Sequence, residues 1–266
     1  ALADAAASGK LMQTMMTRDG KYPPAFAAAL TCVSSVIGPI IPPSIPLVLF
    51  ALVSDTSVGY LFLGGVIPGV LLGAAQSGLI AAVAKRRNFP VERHVPLREL
   101  PRVTWEALPA LMMPVILLGC MWSGMTTPTE AAAVAAAYAL LLSVLLYRSV
   151  GMKDIYRSLA SSAKVTVSIG MLIAGALVFN YVITAENIPR TLSAALKAWD
   201  MSPLAFLLVV NVLLLVLGCF LEGTTIILVI LPVLLPTAAA LGVDPVHFGV
   251  LAIVNIMLGL VTPPYG

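Results

Sequence analysis

Long apolar stretches follow one another along most of this chain, with few charges between them. A helix that crosses a hydrocarbon layer about 30 Å thick needs about 17 to 25 apolar residues. Stretches of that length lie at 60–84, 107–123, 131–147, 165–184 and 203–221. Shorter or interrupted ones, which we interpret as incomplete spans, lie at 1–17, 24–37, 44–54, 224–241 and 246–261. The pattern predicts an all-α, polytopic membrane protein.

The composition excludes a soluble fold. Of the 266 residues, 60% are hydrophobic and only 10% are charged, whereas a soluble domain carries about 25% charged residues. A chain of this size could not cover so much apolar surface with so few charges. The net charge of +3 is small, so the positions of the charges carry more information than their sum.

One polar segment, 85–106, separates the apolar stretches and holds six of the fifteen basic residues. Short loops rich in Lys and Arg lie on the cytoplasmic side of a membrane, so we predict that this loop is cytoplasmic. A nucleic-acid patch is the rival interpretation, and a topology signal is favoured between two spans. Counting spans from this loop predicts interfacial helices at 148–164, on the cytoplasmic side, and at 190–200, outside.

A Gly-x-x-x-Pro-Pro motif occurs twice. Gly38, Pro42 and Pro43 in "IGPIIPPSI" correspond to Gly259, Pro263 and Pro264 in "LGLVTPPYG", at an offset of 221 residues. Chance similarity of apolar sequence is the alternative, and the matched order of several positions favours a repeat. We therefore divide the chain into the end of a first repeat (1–84), a cytoplasmic basic loop (85–106) and a second repeat (107–266).

The double prolines remove helical donors from backbone carbonyls. Pro42 and Pro43 have no N–H to offer residues four positions earlier, and an unsatisfied carbonyl in hydrocarbon costs several kcal/mol. Hydroxyls at Ser44 and Thr262 adjoin the two motifs. Broken helices in transporters coordinate Na⁺ through such carbonyls and face anionic groups with their half-helix N-termini. A proline kink repaired by neighbouring helices is the alternative.

Four acidic residues lie within or beside apolar runs, and intramembrane carboxylates are commonly functional. Capping is the competing interpretation. Glu130 in "TPTEA" fits a helix start best, Asp4 and Glu222 also lie near expected helix starts, and Asp55 fits a loop at the membrane face. The three cysteines and two histidines show no metal-ligand spacing.

Several longer motifs resemble the large membrane subunit, the dicarboxylate-permease-like M subunit, of tripartite ATP-independent periplasmic (TRAP) transporters. They are "ADAAASGKLM", "GPIIPPSIPLVLFA", "GGVIPGVLLG", "GMTTPTEAAAVAAAYAL" and "DPVHFGVLAIVNIMLGLVTPPYG". The resemblance covers essentially the whole chain, and the family's large subunit is longer, so we expect an internal fragment.

The resemblance implies an elevator-type secondary transporter of the ion-transporter superfamily, with inverted repeats, helical hairpins and broken helices. It implies Na⁺-coupled import of an organic acid such as a C4-dicarboxylate, with Na⁺ as coupling ion and no organic cofactor. It also implies two partners, a periplasmic substrate-binding protein and a small four-helix membrane subunit, and a place in the bacterial inner membrane.

The resemblance also implies site residues. One Na⁺ site would use the turn that contains Gly38, Ile41 and Ser44, and the other would use Gly259, Thr262 and Tyr265 with Gly218 or Gly223 of the second hairpin tip. The substrate would lie near Asp4, Ser8, Thr224, Thr225 and Asn255. No arginine lies at membrane depth to bind a carboxylate, so half-helix N-termini, or a segment outside this chain, would take that role.

Other classes of function fit the pattern less well. A passive channel would need polar rings along its spans, an intramembrane enzyme would need paired acids or a nucleophile with its base, and neither is seen in the sequence. A non-transporting scaffold and a single-component Na⁺/dicarboxylate symporter of similar fold stay open as alternatives. We therefore predict a transporter and not an enzyme.

Overall fold

The computed structural model describes residues 9–18, 22–87, 89, 96, 98–191, 194 and 201–264, and within these residues every regular element is helical. We label the helices α1 (Lys10–Thr17), α2 (Pro24–Ser34), α3 (Ile45–Ser54), α4 (Val58–Arg87), α5 (Leu100–Trp122), α6 (Pro128–Leu146), α7 (Met152–Ala185), α8 (Pro203–Gly218), α9 (Gly223–Ala240) and α10 (Pro245–Gly259).

Helices α4, α5, α6, α7 and α9 are long and apolar enough to cross a membrane. This confirms the prediction of an all-helical, polytopic membrane protein. The shorter apolar helices α2, α3, α8 and α10 have 10 to 17 residues and fit incomplete spans, as the interrupted pattern predicts for all of them except α8.

The two helices on either side of the turn 219–222 differ in length from the prediction: the first is shorter than expected, and the second is longer. The stretch 203–221 was expected to span, but α8 ends at Gly218 after 16 residues, because the chain turns at Cys219, whose N–H bonds to the carbonyls of Leu215 and Val216. The stretch 224–241 was expected to be too short or too broken, but α9 is 18 residues long. It continues through Pro232 and Pro236, with a π-helical turn at Ile226–Ile230.

Helix α7 joins two segments that were predicted to be separate. The interfacial helix expected at 148–164 and the span expected at 165–184 form one helix of 34 residues. No proline or glycine lies between Met152 and Ile169, so nothing in the local sequence ends the helix at the predicted boundary. Most of the second predicted interfacial helix, 190–200, lies outside the described residues.

Proline and a capping side chain begin several helices together. Ser44, Thr127, Ser202 and Asp244 each accept a hydrogen bond from a backbone N–H of the first turn, with a proline at one of the first two helical positions. At α6 the cap is reciprocal, because Glu130 also accepts from the Thr127 N–H at 2.7 Å. Glu130 is therefore a capping residue, as its sequence context predicts.

Replacing Thr127 by alanine should lower the stability of the protein by about 0.5–2 kcal/mol, because the cap of α6 loses its acceptor. Thermal unfolding of the purified protein measures this change. Thr129→Ala, which alters an exposed hydroxyl two residues further on, is the matched control and should leave the midpoint within error. Equal effects of the two substitutions would contradict the capping role.

The helices pack into two compact bodies. The larger body is drawn from residues 1–90 and 172–266, and the smaller from 91–171. In the smaller body α5 packs on α6, and the Tyr138 hydroxyl donates to the Pro109 carbonyl at 2.8 Å. In the larger body α10 contacts α3, α4, α8 and α9, and its buried side chains include Phe248, Ala252 and Ile256.

Candidate functional site

The two double-proline motifs form irregular turns where apolar helices end. The first turn, 35–44, joins α2 to α3, and the second follows α10 from residue 260. The peptide bond between the two prolines is cis in both motifs. Both turns and the hairpin turn 219–222 belong to the larger body, so one compact body carries the backbone features on which the predicted site depends.

Ser44 holds the first turn from both sides. Its hydroxyl donates to the Pro39 carbonyl, and its oxygen accepts from the Leu47 N–H at 3.2 Å as the cap of α3. One of the two carbonyls that lose a helical donor at this break is therefore satisfied by a hydroxyl. No described residue donates to the other, the carbonyl of Gly38, which keeps it available to an outside partner.

Helix α4 supports this turn at two glycines. A Cβ on Gly65 would lie 2.8 Å from the Ile40 carbonyl oxygen, and one on Gly69 would lie 2.5 Å from Ile41 Cγ1. Both separations are shorter than van der Waals contact. At Gly65 the neighbour is a backbone atom, so only glycine permits this approach, whereas at Gly69 the Ile41 side chain would have to shift. Ile41, a predicted ligand through its backbone, is 38% exposed. The turn is thus fixed by Ser44 and by α4, with Gly38 and Ile41 on its accessible side.

In the second turn, Thr262 bonds back to the last residues of α10. The Thr262 N–H donates to the Gly259 carbonyl at 2.9 Å, and the Thr262 hydroxyl donates to the Leu258 carbonyl at 2.9 Å. The Gly259 carbonyl therefore has one partner and retains a second lone pair. Tyr265, the remaining residue predicted here, lies outside the described residues.

The structure brings the glycines of the second predicted set together. Helices α8 and α10 cross where a Cβ on Gly218 would lie 3.0 Å from the Gly259 Cα. Gly223, at the start of α9, packs against α10, since its Cβ would lie 3.1 Å from Ile256 Cγ2. The ends of α8 and α10 therefore meet through backbone, whereas Gly223 meets side chains of α10.

The first turn of α9 has one polar side-chain contact. The Thr224 hydroxyl donates to the Glu222 carboxylate, and the Glu222 side chain does not cap the helix. The Thr225 N–H bonds to the Glu222 carbonyl at 3.1 Å. Thr224 and Thr225 are partly exposed, so the helix start is open to a ligand beside them.

Asn255, predicted to be near the substrate, bonds to a neighbouring helix. It is only 8% exposed, and its Nδ2 lies 2.7 Å from the Asn211 carbonyl oxygen and 2.6 Å from the Asn211 Oδ1. Its own Oδ1 is buried without a partner among the described residues. The Asn211 amide in turn donates to the Leu207 carbonyl at 2.9 Å. The two amides link α8 and α10 at positions that precede, in each helix, the glycine (Gly218 or Gly259) at which the helices cross.

Asn211 was missed by the sequence analysis. An amide within the apolar run "LLVVNVLLLV" is a signal that could have found it, because polar side chains in apolar helices commonly bond to another helix. Asn211 and Asn255 both line a cavity of about 800 Å³ between α4, α8 and α10, whose remaining walls are mostly apolar.

Asp4 and Ser8, which the resemblance assigns to the substrate, lie outside the described residues. Within the described part of the chain, no three His, Cys, Asp or Glu side chains converge as a metal cluster would require.

A family model, "Tripartite ATP-independent periplasmic transporter, DctM component", matches residues 1–266. The chain is 42% identical over 264 residues to the C4-dicarboxylate TRAP transporter large permease protein DctM of Pseudomonas aeruginosa, with 99% of this chain and 62% of that protein covered. It is 41% identical to the sialic acid TRAP transporter large permease protein SiaM of Vibrio cholerae, with coverage of 100% and 62%. It is 37% identical to the 2,3-diketo-L-gulonate TRAP transporter large permease protein YiaN of Escherichia coli, with coverage of 100% and 62%.

The chain thus spans about 62% of the length of these curated relatives. The family consists of transporter permeases and not of enzymes. With its apolar spans, its paired helix breaks and a match along its whole length, this chain belongs to the DctM component family of tripartite ATP-independent periplasmic transporters.

Proposed function

We propose that the full-length protein imports an organic acid by Na⁺-coupled secondary transport, in the bacterial inner membrane. The observation that carries this proposal is the close backbone approach of Gly218, where the hairpin turn begins, to Gly259, where the broken helix α10 ends. Gly223, on the other side of the hairpin turn, packs against side chains of α10. Such meetings of discontinuous helices form ion and substrate sites in secondary transporters. Family membership supports the same class of activity.

Backbone oxygens would hold the ions. At the first break Gly38 and Ile41 are exposed residues of a turn whose Ser44 hydroxyl is already engaged, and no described residue donates to the Gly38 carbonyl. At the second break the Gly259 carbonyl has a free lone pair beside Thr262. Ser44 therefore acts on the first site by fixing the turn, and its oxygen would reach Na⁺ only alongside its bonds to Pro39 and Leu47.

The start of α9 would bind the substrate carboxylate. Helix N-termini favour anions through unpaired N–H groups and the helix dipole, and no side chain caps this one. Thr224 and Thr225 add hydroxyls at the same place. Glu222 adds a negative charge there, so a bound carboxylate needs a compensating cation. This repulsion gives a physical reason why substrate and Na⁺ would bind together.

The mechanism, the loop orientation and the partners that we propose are those that membership of the family implies. The two Gly-x-x-x-Pro-Pro breaks would belong to inverted repeats that move as an elevator, and loop 85–106 would face the cytoplasm. A periplasmic binding protein would deliver the acid, and a small four-helix membrane subunit would complete the permease. The relatives are named for C4-dicarboxylate, sialic acid and 2,3-diketo-L-gulonate, so we propose a carboxylate as the substrate class.

Uptake by proteoliposomes tests this proposal. The full-length permease, with its small subunit, should take up radiolabelled carboxylate only when Na⁺ is outside and the loaded binding protein is present. Uptake in Na⁺ without a binding protein would indicate a single-component symporter. Uptake that persists in K⁺ buffer would indicate a channel and would contradict Na⁺ coupling.

A further inference from the structure

Helix α9 continues through a proline that should interrupt it. Pro232 has no N–H, so the carbonyl of Leu228 loses its helical donor. In an apolar helix such a carbonyl costs several kcal/mol if nothing replaces the donor. Leu228 is 2% exposed, so bulk water does not supply the missing hydrogen bond.

The replacement donor comes from a different helix. Asn180 of α7 places its Nδ2 3.2 Å from the Leu228 carbonyl oxygen, across 48 residues of sequence. The Asn180 backbone carbonyl is itself bonded to the Thr184 hydroxyl at 2.8 Å. The Asn180 Oδ1 is buried and has no partner among the described residues, so the amide's described contact to another helix is the one to Leu228.

This contact acts on the part of α9 next to the hairpin turn. Between the helix start at Gly223 and Pro232, the chain forms a π-helical turn in which the Leu231 N–H bonds to the Ile226 carbonyl. The π turn changes the rotation of the residues before it relative to those after it. Leu228 lies within this turn. A hydrogen bond to its carbonyl therefore constrains the orientation of the first turn of α9, which carries Gly223 and Thr224.

We infer that Asn180 is a positioning residue for the second hairpin tip: its amide replaces the N–H that Pro232 lacks and holds the arm that carries Gly223–Thr225. The effect on transport rests on the proposed function, whereas the link between Asn180 and Pro232 does not. Cavities of about 490 and 280 Å³ adjoin this contact, and both are lined by Asn180 and Pro232. The side chain is thus not held in place by close packing alone.

A double-mutant cycle in the full-length permease tests the link. Asn180→Leu keeps the size of the side chain and removes the donor, and Pro232→Ala returns an N–H to the Leu228 carbonyl. N180L alone should lower the thermal midpoint and raise the Na⁺ concentration for half-maximal uptake about fivefold, the size of one net hydrogen bond. In the P232A background, N180L should change the thermal midpoint and the Na⁺ concentration for half-maximal uptake by less than half as much as it does in the wild-type background.

Thr184→Val is the matched control, because its hydroxyl bonds within α7 only; it should have no measurable effect in either background. Equal effects of N180L with and without P232A would overturn the inference. A coupled change in thermal midpoint with no change in Na⁺ dependence would also overturn it, since Asn180 would then be only structural. Wild-type uptake that does not depend on Na⁺ would contradict the proposed function instead. The double-mutant cycle measured by thermal unfolding would then still test whether Asn180 and Pro232 are coupled.

Discussion

Replacing Gly259 by alanine is expected to lower the stability of the permease by about 1–3 kcal/mol, the usual cost of overpacking, and to abolish most Na⁺-dependent uptake. The added Cβ would lie 2.8 Å from the Gly218 Cα and 3.0 Å from its carbonyl carbon. Both neighbours are backbone atoms, so a change of side-chain rotamer cannot relieve the contact. Helices α8 and α10 must move apart, and the hairpin turn moves with α8.

Thermal unfolding and proteoliposome uptake measure the two effects. Gly175→Ala in α7 is the matched control, since a Cβ there meets nothing within 4 Å, and it should behave as wild type or slightly better. If G259A unfolds and transports as G175A does, the close crossing of α8 and α10 is not what assembles the site.

Replacing Pro42 and Pro43 together by alanine is expected to raise the Na⁺ concentration for half-maximal uptake by about tenfold, or 1.4 kcal/mol. The two alanines supply N–H groups that the Gly38 and Pro39 carbonyls lack. The helix can then continue through the turn, the Gly38 oxygen is taken by an internal bond, and Ser44 loses its place as the cap of α3.

Initial uptake rates over a series of Na⁺ concentrations provide this measurement. Pro114→Ala is the control, because it restores one N–H inside α5, which belongs to the other compact body and contains neither repeat motif; its Na⁺ dependence should stay within a factor of two. An unchanged Na⁺ dependence in the Pro42/Pro43 variant would mean that the turn is only a kink.

Local features of the fold were predictable because their causes lie within a few residues of each other. Thr127 and Glu130 form the expected cap since both partners belong to one turn. The double prolines end helical regularity at 38–44 and after Gly259 for the same reason. Glu222 lies at the expected helix start, and Asp55 lies in a turn after α3, as predicted.

The features that were not predicted depend on contacts between distant segments. The stretch 224–241 was expected to be an incomplete span, but α9 continues through Pro232, and the Asn180 amide that bonds beside this proline comes from 48 residues away. Asn211 became significant only through its bond to Asn255 on another helix. The Ser44 hydroxyl was expected near the site. Its bonds to the Pro39 carbonyl and the Leu47 N–H could not be predicted, because they depend on how the turn folds.

We propose that the paired helix breaks hold Na⁺. Equilibrium binding of radioactive ²²Na⁺ to the purified full-length permease, without substrate or binding protein, tests it most directly. Binding should be saturable, displaced by unlabelled Na⁺ and not by K⁺, and weakened by the Pro42/Pro43 double substitution but not by P114A. An active permease that shows no saturable ²²Na⁺ binding, or binding that the two variants leave equally intact, would contradict the claim.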